Sequence, residues 1–171
     1  MGDMTVIEAM KELKLIEKKM ARNSDLIRQY SSKLSTEKPR FDSEKAQEEK
    51  VKSLAQANED LAKTYYRLHA SINVTNIKTK VMLGGTEYTI HELLLYRRKL
   101  ASMIADSYRS MDDHAARSQL RTAGDGVTVD RLYNEDFKNE KLEFWVDLRE
   151  TIDGRLETVN ATTALVPLDS I

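Results

Sequence analysis

"SINVTNIKTKVMLGGTEYTIHE", residues 71–92, holds the end of one helix, a tight turn and the start of the next helix. Upstream of it, Val51, Leu54, Leu61, Tyr65, Leu68 and Ile72 recur with coiled-coil spacing, interrupted once by Asn58. The next seam positions are Thr75 and Thr79, flanked by Asn73 and Asn76, so the packing face turns polar where the helix ends. Residues 80–83 and 86–89 are β-compatible runs around Gly84-Gly85, and a two-residue Gly-Gly connection is a hairpin signal. Thr89 and Glu92 then have the spacing of a capping box, which satisfies orphan amides at a helix start. The stretch predicts a helix over 44–76, a hairpin over 80–89 and a further helix over 90–118.

Working outward, Val6, Met10, Leu13, Ile16, Met20, Ile27, Tyr30 and Leu34 line one face of a first helix over 5–34. Asn23 and Ser24 break that stripe, at a place where a polar pair would fix register. Pro39 disfavours helix at Lys38, and Ser43 can cap the second helix, so the first two helices are expected to form an antiparallel hairpin. The third helix carries Ile90, Leu93, Leu100, Ile104 and Met111 on its seam, with Arg97 in the middle. Residues 121–139 read as irregular around Gly124-Asp125-Gly126, long enough to close over a pocket or to remain an open loop. A last helix over 140–164 has Trp145, Leu148, Ile152, Arg155, Val159 and Thr162 on its seam, with Gly154 placed for close helix approach. The tail "ALVPLDSI" is apolar enough to dock on a partner. The expected architecture over 1–171 is a single, mainly α domain. It is an antiparallel bundle of long helices with a small β-hairpin between the second and third. The longest helix would reach roughly 45 Å at 1.5 Å per residue, long for so small a domain, and self-association into a dimer or tetramer would bury its remaining apolar face.

The totals exclude several classes. Lys and Arg number 27 against 28 Asp and Glu, which argues against coating long nucleic acid, since that needs a basic excess. With no cysteine there are no disulfides, thiolate metal sites or cysteine nucleophiles. No apolar run approaches the roughly 18 residues of a membrane span and no signal core opens the chain, so a cytoplasmic protein without a membrane partner is expected, in a bacterium or an infected host cell. Val6 stands where a myristoylation motif needs Ser or Thr. His69, His91 and His114 lack the spacing of a helical metal pair, and there is no nucleophile elbow, P-loop or dinucleotide fingerprint. No catalytic residue and no cofactor are predicted.

The polar helix ends carry more information. Asn73, Thr75, Asn76 and Thr79 close the second helix, and Asn160, Thr162 and Thr163 close the last. If those helices point the same way, both Asn-x-Thr ends lie side by side. Lys78, Lys80, Tyr88, Tyr96 and Arg97 are near in sequence. Amides and hydroxyls can read base edges and riboses, arginine binds phosphate with a planar fork, and tyrosines stack on bases. The mixture suits a small anionic nucleotide. The competing account is structural: Asn and Thr satisfy loose backbone groups at helix ends, and a seam arginine pairs with a carboxylate on a neighbouring helix.

"INVTNIKTKVMLGGTEYTIHELLLYRRKL" resembles the septicolysin-like family of small bacterial and phage proteins. The matching residues are Ile72, Asn73, Thr75, Asn76, Thr79, Thr89, Glu92, Leu94 and Arg97, and near the end Asn160, Thr162, Thr163 and Leu165. Where that family often has Arg-Arg-Asp, this chain has Arg97-Arg98-Lys99. In size, helical layout and polar pocket the chain is also similar to phage anti-CBASS sponges. Those are oligomers that sequester cyclic dinucleotide immune signals without cleaving them. The resemblance implies a non-catalytic, homo-oligomeric protein that sequesters a cyclic dinucleotide. Asn73, Thr75, Asn76, Lys78, Thr79, Lys80, Tyr88, Tyr96, Arg97, Asn160, Thr162 and Thr163 would be its ligand-binding residues. The alternative is a structural or protein-interaction bundle with no small-molecule ligand.

Overall fold

Helix α1 (Val6–Tyr30) starts on a capping box: the Thr5 hydroxyl accepts from the Glu8 amide at 3.4 Å and the Glu8 carboxylate accepts from the Thr5 amide at 2.8 Å. It ends four residues earlier than its apolar stripe predicts, with the Ser31 amide and hydroxyl both donating to the Ile27 carbonyl, at 2.9 and 2.6 Å. Helix α2 (Glu44–Lys78) follows, capped by Ser43. The computed structural model describes residues 4–167. Within them the fold is mainly α with one small antiparallel hairpin, and no helix is long and apolar enough to cross a membrane.

The chain divides into two compact units, one holding residues 4–79 and 160–167, the other residues 80–159. In the first unit α1 and α2 run antiparallel, since side-chain pairs climb one helix as they descend the other: Glu17 with Tyr65, Asn23 with Asn58, Tyr30 with Gln47. Val6, Ala9, Ile16, Leu68 and Ile72 form its core, with Leu13, Leu61, Tyr65 and Leu165 packed against it. The two polar interruptions of the sequence stripes meet there. Asn23 donates to Asn58 at 2.9 Å, and Asn58 donates to the Met20 carbonyl and the Ser24 hydroxyl, both at 3.3 Å. A mispaired register would bury these amides without partners, so the layer selects one alignment. At the connection between the helices, buried Gln47 donates to the Tyr30 carbonyl at 2.7 Å and accepts from the Arg40 amide at 2.9 Å.

The segment after the last helix closes on this same unit. Thr5 and Ala164 form an antiparallel bridge. Val6 donates to the Thr163 carbonyl at 3.0 Å, and Leu165 donates to the Met4 carbonyl at 2.8 Å. The apolar tail expected to reach a partner is therefore used internally as far as Val166, through the N-terminal edge and the end of α2. Residues 168–171 of that tail lie outside the described residues.

In the second unit, β1 (Lys80–Leu83) pairs antiparallel with β2 (Thr86–Thr89), Lys80 opposite Thr89 and Leu83 opposite Thr86. Gly84 and Gly85 both adopt positive φ, 56° and 81°, as a two-residue hairpin turn with native twist requires. Helix α3 (Ile90–Leu95) opens on the predicted Thr89–Glu92 capping box. It runs through a π turn (Tyr96–Leu100) into α4 (Ala101–Arg109). The third helix thus stops short of 118. The Ser110 amide and hydroxyl both donate to the Asp106 carbonyl, at 3.0 and 2.8 Å, and in the break the Asp112 carboxylate accepts from the His114 amide at 2.9 Å, a local bond that competes with helix. A short helix α5 (His114–Leu120) restarts beyond the break. Helix α6 (Glu135–Thr162) begins earlier than expected, where Asn134 accepts from the Phe137 amide at 3.0 Å and Glu135 and Asp136 occupy the first turn. Its last residues enter the first unit. The second core is Val81, Ile90, Leu93, Ile152 and Leu156. A Cβ at Gly154 would meet nothing within 4 Å, so this glycine does not serve close helix approach.

Candidate functional site

The polar end of α2 is assembled by its last two turns. Thr75 is fully buried; its hydroxyl donates to the Ser71 carbonyl at 2.7 Å and accepts from the Val166 amide at 2.9 Å. Both bonds lie inside the first unit, so Thr75 pins the chain after α6 to the end of α2. That pin brings the Asn160, Thr162 and Thr163 segment into the same unit as Asn73, Asn76, Lys78 and Thr79. Asn73 is exposed and its amide lies 3.2 Å from His69 Nδ1. Thr79 caps α2, its amide donating to the Thr75 carbonyl at 2.8 Å. Lys78 is exposed and has no carboxylate partner among the described residues.

Two atoms here are chemically unusual. Asn76 is only 9% exposed, and its Oδ1 meets no hydrogen-bond donor among the described residues. The Oδ1 of Asn160 is in the same condition. A buried amide oxygen without a donor costs roughly 1–3 kcal/mol, and the great majority of such oxygens are paired. These two belong to the two Asn-x-Thr segments. Each can accept from a donor such as a hydroxyl or an exocyclic amine.

The remaining sequence candidates lie in the second unit, where Arg97 and Lys80 are ion-paired. Arg97 sits in the π turn and pairs with Asp153 of α6, both side chains about half exposed. The π turn shifts the helical phase by a fraction of a turn, which sets where Arg97 emerges; such turns recur at functional sites. Lys80 lies 2.5 Å from Glu87 across the hairpin, and that hydrogen-bonded carboxylate raises the lysine's pKa. Tyr88 and Tyr96 meet edge to face, centroids 5.9 Å apart, against the second core. The Thr89 amide, donating to Glu92, lowers that carboxylate's pKa. Asp153, the partner of Arg97, was not singled out in the sequence; its place between Ile152 and Leu156 on α6 becomes meaningful only once α3 and α6 share a core.

Residues 121–134 are anchored near their end, through Arg131. Arg131 bonds Asp113 at 3.1 Å, and Arg117 bonds the same carboxylate at 2.7 Å. The Arg117 hydrogen bond and that from Arg131 lower the Asp113 pKa to about 2. No group of three or more metal-ligating side chains is placed to hold an ion among the described residues.

No protein-family model and no curated protein matches the chain. Its fold is similar to the crystal structure of a functionally unknown conserved protein from Corynebacterium diphtheriae, with a TM-score of 0.60 at 16% identity, covering 95% of this chain and 99% of that one. At that identity the likeness concerns the fold alone.

Proposed function

We propose that this chain is a non-catalytic, homo-oligomeric binding protein that sequesters a small anionic nucleotide, most plausibly a cyclic dinucleotide, at the polar end of the first unit. The observation that carries this reading is the pair of buried, donor-less oxygens on Asn76 and Asn160. Ribose hydroxyls and base amines supply the missing donors. Lys78, unpaired among the described residues, supplies the cation for phosphate. Asn73, Thr79, Thr162 and Thr163 are the neighbouring polar groups for bases and riboses. Thr75 acts by holding the two segments together, its hydroxyl being spent on the fold. The resemblance to septicolysin-like proteins and to sponges of phage origin is part of this proposal.

Thermal unfolding with cyclic di- and trinucleotides and mononucleotides tests it. A ligand at a hundredfold excess over its Kd stabilises the fold by about 2.7 kcal/mol, a rise of about 5–11 °C in a chain of this length. Recovery of the ligand intact supports sequestration, and recovery of a product indicates a hydrolase instead.

The Arg97–Asp153 pair specifically favours a second reading, an interaction protein without a small ligand. In that case no nucleotide shifts the unfolding temperature, while Arg97→Ala lowers it.

A further inference from the structure

Between α4 and α6 of the second unit lies a groove of about 310 Å³. Its floor is Ala101 and Ala105, both buried, and Trp145 and Val146 form a wall, the valine 48% exposed. Small floor residues leave room for the side-chain ridge of another helix. Two of the groove's charges are matched locally, Arg109 by Asp106 and Asp153 by Arg97. Arg149 and Glu150, adjacent and exposed on α6, have no ion-pair partner among the described residues.

We infer that this groove is the self-association face, and that its occupant is a second copy of the same chain. A two-fold interface sets the same patch on both subunits. A patch carrying adjacent opposite charges is complementary to itself: about a two-fold axis between these positions, Arg149 of one protomer meets Glu150 of the partner subunit. A formal net charge of −1 opposes pairing very little. The inference takes from the proposed function only the expectation of self-association, and it stands or falls without any nucleotide.

The test is sedimentation of the full chain over a range of concentrations, with the emission of Trp145, the one tryptophan, reporting exposure of the groove wall on dilution. Arg149→Glu and Glu150→Arg each set like charges across the axis and are expected to weaken association about tenfold, with unchanged circular dichroism. The double reversal Arg149→Glu/Glu150→Arg re-forms both pairs and is expected to restore association to within about threefold. A monomer at every concentration overturns the inference. So does an oligomer that the single reversals leave unmoved, and so does failure of the double reversal to restore association.

Discussion

Replacing Asn76 by leucine should stabilise the protein while weakening the proposed nucleotide binding. The Asn76 Oδ1 is buried in a residue only 9% exposed and meets no donor among the described residues. Leucine of similar size removes that penalty, roughly 1–3 kcal/mol, and adds a few tenths in helix propensity within α2. The sum is about 2 kcal/mol, or about 4–8 °C in unfolding temperature for a chain of this length. The ligand's donor would lose its acceptor, so the same substitution should weaken binding at least about tenfold. Scanning calorimetry of both proteins, with and without the nucleotide that stabilises the wild type, measures both effects. A purely structural asparagine behaves in the opposite way: its loss lowers the unfolding temperature by a similar amount. That outcome, or a variant whose response to nucleotide is intact, refutes the reasoning.

Three further outcomes are expected. Gly154→Ala should stabilise α6 by about 0.5–1 kcal/mol in denaturant unfolding, since the added methyl meets no atom and the chain loses unfolded-state freedom. Asn58→Leu should cost about 1–3 kcal/mol by stranding the Asn23 amide, and Asn23→Leu/Asn58→Leu should recover most of it in stability while loosening the register of α1 on α2, read as slower-exchanging heterogeneity in amide spectra. Asp113 has its carboxyl lowered from 3.8 to about 2 by Arg117 and Arg131, so the stability it contributes is fully present above the unfolded value and is lost as pH falls through the folded one. The stability difference between wild type and Asp113→Asn should therefore be constant above about pH 5 and shrink between about pH 4 and pH 2; a difference that persists unchanged at pH 2 would place its origin elsewhere.

Local rules wrote much of this fold into the chain. The heptad-like run from Val51 to Ile72, the Gly84-Gly85 turn and the Thr89–Glu92 box each act within a few residues, so α2, the hairpin and the start of α3 were legible from spacing alone. At Ser31 and from Ser110 to Asp113 periodicity ran past the true ends, and at the second of these the Asp112 carboxylate takes the His114 amide. The candidate residues at the two Asn-x-Thr ends were visible as polar breaks in apolar seams. Their condition was not. Whether a threonine hydroxyl is spent, as at Thr75, or an asparagine oxygen is left without a donor, as at Asn76, depends on atoms up to 91 residues away in sequence. The partner of Arg97 likewise lies on α6 and depends on the π turn for its aim. Sequence alone thus determined the elements, because propensity, capping and turn chemistry are short-range. Tertiary structure alone decided which polar groups pair and which stay open, because hydrogen-bond satisfaction is settled by neighbours that only folding brings together.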